Sequence, residues 1–448
     1  MVLIVLAAAA PLTVLGGNVP LQVGSGNGIG APIGFLVAVI VLLLFSTGFV
    51  AMTPHVTRPG AFFAYIETGI GRAAGWGAAF LALVSYSAII LGIWGFFGAS
   101  MNNLVVYFGG PSVPWWIWAG VFVVVVGALG YRNVELSSRV LGFFLLAEIA
   151  IIAIFNVVVL IRGGAAGITL NSFAPSNALH GSLGIAVLFA LTGFIGFEST
   201  AIYRDEAKNP DVTIPRATYI AVGTIGVFYT LSSWLMIEGW GESNAVAAAQ
   251  DDPGNFMANV IGTYLGGVGQ DIVQILLVTS LFACLLATHN VIARYQFTIA
   301  GRGALPSSFA QINTRHNAPS RSSLVQSITS AILIAVFAII GLDPLTEVFG
   351  WMAGAATIGI QALMFMTCCA VVAYFVRSKR SGKIWSTRIA PILGALGLFG
   401  CITLIVANLP LMVGGTWALG LTLAGIPLVA FGFGATFGNR LAKGQDPA

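Results

Sequence analysis

Thr192-Gly193-Phe194-Ile195-Gly196-Phe197-Glu198 sets two glycines and a carboxylate inside an apolar stretch that begins near Gly181. A second interruption, Pro11-Leu12-Thr13-Val14-Leu15-Gly16-Gly17-Asn18-Val19-Pro20, puts two prolines and two glycines into the first apolar stretch. Lipid offers no water to freed backbone groups, so an interruption at membrane depth must be buried in protein or line a cavity. Each interruption heads a block of five apolar stretches, spans 1–5 and spans 6–10. Broken helices at matching positions of two halves point to a transporter site near the midplane. Glycine packing between helices accounts for either interruption alone as readily. The matched pair weighs against it.

The rest of the chain suits a membrane. Of 448 residues, 58% are hydrophobic and 8% charged, against about 25% charged in soluble proteins. Too little polar surface remains for a soluble globular enzyme. Stretches of roughly 20 residues, enough to cross a bilayer, begin near Val2, Pro32, Ala73, Pro114, Val134, Gly181, Ile214, Asp271, Ser323, Val348, Ile389 and Thr416. The expected fold class is an all-α membrane protein with twelve transmembrane helices, and 1–448 forms a single polytopic domain. Residues 1–162 hold the first five-helix repeat, 181–377 the second, and 386–438 two further helices. Met1-Val2-Leu3-Ile4 has no basic segment of the kind that opens a signal peptide.

Charge placement gives the orientation. Of the 19 Lys and Arg, all but Arg162 follow even-numbered spans or lie in the C-terminal tail. Arg58 and Arg72 follow span 2, Arg132 and Arg139 span 4, and Arg204, Lys208 and Arg216 span 6. The positive-inside rule then places both termini in the cytoplasm, in an inner (cytoplasmic) membrane, and supports the span count. The basic residues are orientation signals. They do not interleave with aromatics as a nucleic-acid surface would, so no nucleic-acid partner is expected.

An unwound helix frees N–H and C=O groups and exposes half-helix ends with partial charges. A zwitterionic amino acid needs partners of both kinds: half-helix N-termini for its carboxylate and freed carbonyls for its ammonium. Of the side chains in the two interruptions, only Glu198 is charged. It serves equally well as a cap for the inner half-helix or as a proton-sensing group. Glu148 is the other intramembrane carboxylate, and its same-face neighbours Leu141, Phe144, Leu145, Ile151, Ile152 and Phe155 are all apolar. An ionisable residue in a membrane helix is a functional candidate by default. Glu148 is read as the carrier of a coupling proton, with a permanently protonated structural role as the alternative. His289 is more simply a hydrogen-bonded helix-end residue. Thr279 and Ser280 are the hydroxyls that a sodium-coupled carrier would use, though single hydroxyls are too common to decide this.

Other features carry less. Gly26-Asn27-Gly28-Ile29-Gly30-Ala31 fits a dinucleotide-binding pattern but lacks the preceding strand it needs. Cys284, Cys368, Cys369 and Cys401 lie in apolar stretches without metal-ligand spacing and read as core residues. No cofactor, metal or catalytic set is expected. The Arg204–Pro210 cluster and the acidic loop with Glu242, Asp251 and Asp252 read as solvated loops.

Three stretches together resemble the amino acid–polyamine–organocation permeases. They are Gly196-Phe197-Glu198-Ser199 with Asp205-Glu206-Ala207-Lys208-Asn209-Pro210 and Ile214-Pro215-Arg216-Ala217, then Thr288-His289-Asn290 through Leu305-Pro306, and Arg58-Pro59-Gly60-Ala61-Phe62-Phe63-Ala64-Tyr65. The resemblance covers nearly the whole chain. It implies a leucine-transporter-like 5+5 inverted repeat with broken helices 1 and 6, and secondary transport of amino acids or related amines. It also implies a substrate site formed by Leu12, Thr13, Val14, Gly16 and Gly17, by Thr192, Gly193, Phe194, Ile195, Gly196 and Phe197, and by Tyr86 on span 3. Trp351 on span 10 is a weaker member. Some relatives carry a proton-coupling lysine in span 5 where this chain has Glu148, so the charge logic is reversed. The span-1 stretch also departs from the common Gly-Ser-Gly type of break. Proton coupling is expected, with sodium coupling or exchange as the alternative energetics and a membrane sensor as a remote one.

Overall fold

A computed structural model describes residues 10–56, 61–132, 138–197, 210–313, 318–378 and 383–443. Helices are named here by the spans whose positions they occupy. The described residues are helical almost throughout, and their one β feature is an isolated bridge between Asn313 and Ala318. Helix is what a bilayer demands, because it satisfies every backbone group within its own segment. Nine described helices are long and apolar enough to cross a membrane. Two shorter apolar helices, Trp115–Tyr131 and Leu183–Thr192, occupy the positions of spans 4 and 6.

Span 3, Arg72–Tyr107, runs 36 residues, about 54 Å at the helical rise, which exceeds the hydrocarbon thickness of about 30 Å. It packs against spans 8, 10 and 12, while span 7 packs on span 2 and span 9 on span 4. Glycines set several of these approaches. A Cβ on Gly95 would lie 2.8 Å from Val348 Cγ1, and one on Gly48 2.7 Å from Pro391 Cγ.

Two expectations change. The stretch Pro11–Pro20 was expected to unwind, but the chain is helical from Pro11 to Gly26 in alternating α and π turns. The non-helical residue is Ala10, with φ 40° and ψ 73°. Pro20 lacks an N–H and its ring crowds the carbonyl four residues back. The Val14–Asn18 turn widens to π geometry, with Val19 N–H donating to Val14 O, and this absorbs the proline without breaking the helix. Second, the helix expected from Asp271 belongs to a kinked pair spanning Phe256–Gly301. Gly266 turns the chain there with φ 72°, in the left-handed region that glycine adopts freely.

Candidate functional site

Span 1 supplies the first part of the site. Pro11 occupies the first helical position, where its missing N–H costs nothing. Val14 N–H donates to Ala10 O at 3.2 Å. Leu12 N–H instead donates to Glu148 Oε2 of span 5 at 3.3 Å. A carboxylate at a helix N-terminus meets the positive end of the helix dipole. Glu148 is 4% exposed, and the Ser280 hydroxyl of span 8 lies beside it. Tyr229 of span 7 and Cys284 of span 8 lie within its electrostatic reach. The sequence offered Glu148 no partner on its own helix. The fold brings partners from spans 1 and 8.

The described part of span 6 leaves its helix at the start of the expected interruption. Its outer half begins at Leu183 with Ser182 as cap, the Ser182 hydroxyl accepting from Ile185 N–H at 3.1 Å. The helix ends at Thr192. From there Ile195 N–H donates to Thr192 O at 3.1 Å and Phe197 N–H to Phe194 O at 3.2 Å, a series of tight turns. Gly196, with φ 110°, takes a conformation that side chains disfavour. The Thr192 hydroxyl donates to Leu188 O at 2.8 Å and lies 2.6 Å from the Thr357 hydroxyl of span 10. With its single hydrogen committed, Thr192 accepts from Thr357.

The two expected segments meet. A Cβ on Gly193 would stand 2.8 Å from Val14 Cγ1. Phe194 packs edge-on against Tyr229, with ring centroids 6.0 Å apart, so the span-6 interruption and Glu148 share a neighbour. Phe197 packs edge-on against Phe45 of span 2 at 5.9 Å. Leu12, Thr13 and Val14 are buried beside this junction, and Ile195 and Gly196 are half-buried within it. Asn18 ties the same helices further out, its amide donating to Phe189 O at 2.8 Å.

The remaining expected residues have the following surroundings. Gly16 and Gly17 serve close packing: a Cβ would lie 3.0 Å from Met257 Cε in the first case and 2.7 Å from Phe96 Cε1 in the second. Tyr86 is buried against Tyr295 of span 8, centroids 5.6 Å apart. Ser280 and Tyr295 are separated by about 22 Å of helix, so Tyr86 sits away from Glu148. Trp351 lines a separate outer cavity of about 530 Å³ with Phe189, Asp343 and Glu347. Glu198 lies outside the described residues. His289 is buried and hydrogen-bonded, Nε2 lying 2.8 Å from Ser323 Oγ. Thr279 donates to Leu276 O at 2.9 Å. Among the described residues no group of three or more His, Cys, Asp or Glu could hold a metal.

Sequence reasoning passed over Tyr229, Thr357 and Gln361. The last two carried a signal: polar residues four apart in an apolar helix share a face.

Both ends of the assembly are closed by polar contacts. At the end of span 8, Arg302 donates to both carboxylate oxygens of Glu67 at 2.8 Å and stacks on Trp76, 4.9 Å from its centroid. Beyond span 7, Thr169 bonds both Glu238 and Glu242, while Trp234 Nε1 donates to Thr169 O at 2.9 Å.

The family model described as amino acid permease matches residues 2–431. The aromatic amino acid transport protein AroP of Escherichia coli (strain K12) is 26% identical over 347 residues, covering 74% of this chain and 72% of AroP. The serine/threonine exchanger SteT of Bacillus subtilis (strain 168) is 24% identical over 381 residues, covering 84% and 82%. A probable GABA permease of Pseudomonas aeruginosa is 27% identical over 319 residues, covering 66% and 64%. These relatives are named as transport proteins, and none as an enzyme.

Proposed function

The chain belongs to the amino acid permease family, and we propose that it is a secondary carrier of amino acids or related amines in the cytoplasmic membrane, with both termini inside. The chain folds as two inverted five-helix repeats, 1–162 and 181–377, with two added helices in 386–438. Substrate binds where the start of span 1 meets the Gly193–Phe197 interruption of span 6. The backbone there carries the recognition: helix N-terminal N–H groups hold the carboxylate, and carbonyls released by the span-6 turns hold the ammonium. Phe194 and Phe197 wall the site, and alternating access comes from spans 1 and 6 rocking against the remaining helices.

Coupling is to protons, through Glu148. The observation that carries this is the convergence of Leu12 N–H and the Ser280 hydroxyl on one buried carboxylate. An ionised acceptor holds a donor about twice as strongly as a neutral one. Taking up a proton at Glu148 therefore loosens the grip of spans 5 and 8 on the start of span 1, the element that must move. Release of the proton restores the grip.

The test is uptake by proteoliposomes of a panel of labelled amino acids and amines, with and without an inward proton gradient in sodium-free buffer. Saturable, gradient-stimulated uptake of one class is the expected result. Uptake only from vesicles preloaded with substrate means exchange, and uptake only with sodium means sodium coupling. Either outcome ends the proton reading.

A further inference from the structure

Span 10 meets span 6 along one face. Gly350 lies by Phe189 and Thr357 by Thr192, so the two helices advance in the same direction. Gln361 is one turn beyond Thr357 on that face, which sets it level with the interruption that follows Thr192. Helical side chains lean back toward the N-terminus of their helix, here toward the threonine pair.

Among the described residues the Gln361 amide has no hydrogen-bond partner on either its nitrogen or its oxygen, and 0% of the residue is exposed. Buried polar groups in folded proteins are paired in the large majority of cases, and each exception needs a reason. Thr13 of span 1 is in the same condition, its buried hydroxyl unpartnered. Its neighbour Val14 packs against Gly193. Two unpartnered polar side chains thus flank one interruption. A purely structural role as glue between helices would show a partner, and among the described residues neither has one.

We propose that Gln361 reads the side chain of the transported molecule and selects a neutral group that both donates and accepts hydrogen bonds, a carboxamide above all. The assignment rests on the transport reading given above. The amide offers two N–H donors and a carbonyl acceptor, and another carboxamide satisfies both ends at once. A carboxylate would satisfy only the nitrogen end, an ammonium only the oxygen end, and each would bury a charge without a counter-charge. An apolar side chain leaves both ends orphaned. The protein is closed around Gln361, so the partner arrives while spans 6 and 10 are parted and is enclosed when they meet.

The experiment compares L-glutamine with L-methionine, which is similar in size but has no side-chain N–H or O–H donor, in uptake by proteoliposomes of the full chain. Wild type should favour glutamine in kcat/KM by at least about tenfold, since a site built to hydrogen-bond rejects analogues that cannot. Gln361→Met should cut glutamine uptake by about tenfold or more and raise methionine uptake, because the amide that methionine leaves unpaired is gone. That variant deletes an unpaired buried amide at similar volume, so its Tm should equal or exceed wild type. A lower Tm, an equal loss for both amino acids, or an unchanged ratio overturns the assignment. Saturable uptake of other amino acids with glutamine refused overturns the assignment alone. No uptake of any amino acid or amine overturns the transport reading with it.

Discussion

Glu148→Gln keeps the shape of the side chain and removes its charge. In the native protein the carboxylate accepts the Leu12 amide at 3.3 Å and has the Ser280 hydroxyl beside it. A hydrogen bond to a charged group contributes about 1.5–3 kcal/mol and one between neutral groups about 0.5–1.5 kcal/mol. The 3.3 Å separation is long for N–H···O, so the low end of each range applies. The difference is then about 1 kcal/mol, or about fivefold in the equilibrium between a held and a released start of span 1. In proteoliposomes, Glu148→Gln should lose the response of uptake to an inward proton gradient. Counterflow, which moves no net proton, should continue within about fivefold of the wild-type rate. Protonation does to the wild type what the substitution does permanently, so wild-type counterflow in acid should approach that of the variant. A Glu148→Gln protein whose uptake still follows an imposed gradient refutes the reasoning.

Four further substitutions probe the junction and its seals. Gly193→Ala forces a Cβ to within 2.8 Å of Val14 Cγ1 and should lower stability by about 1–3 kcal/mol. Adding Val14→Ala should recover most of that loss in a double-mutant cycle followed by thermal melting. Asn18→Leu removes the donor to Phe189 O and should cost about 1 kcal/mol, with a matching fall in Tm. Arg302→Met breaks the ion pair with Glu67, whose side chains are 29% and 17% exposed. It should cost about 1 kcal/mol at low ionic strength, and the gap to wild type should narrow as salt rises.

Much of the architecture was legible because the bilayer leaves a chain few choices. Apolar stretches of spanning length must be helices, and the glycines of Thr192–Phe197 break one of them where backbone strain is cheapest for that residue type. Span 1 was harder. Prolines and glycines announce that a helix is disturbed, but not whether it unwinds or widens. The Val14–Asn18 stretch takes the π turn with its glycines packed under Phe96 and Met257. Those neighbours come from span 3 and from the helix before the Gly266 kink, far away in the sequence. Tyr86 meets the ring of Tyr295, a neighbour that no local reading of span 3 names.

Composition, charge placement and the two interruptions by themselves determined a polytopic helical membrane protein whose special positions were the start of span 1, the middle of span 6 and Glu148. Each of these is a local property: hydropathy over one stretch, a break in one helix, a charge where none belongs. Which groups meet was decided by tertiary structure alone. Leu12 and Ser280 on Glu148, Val14 on Gly193, Thr357 on Thr192 and the unpartnered amide of Gln361 all follow from how separate helices cross. Crossing is set by side-chain packing summed over many distant residues, and no single stretch of the chain contains that sum.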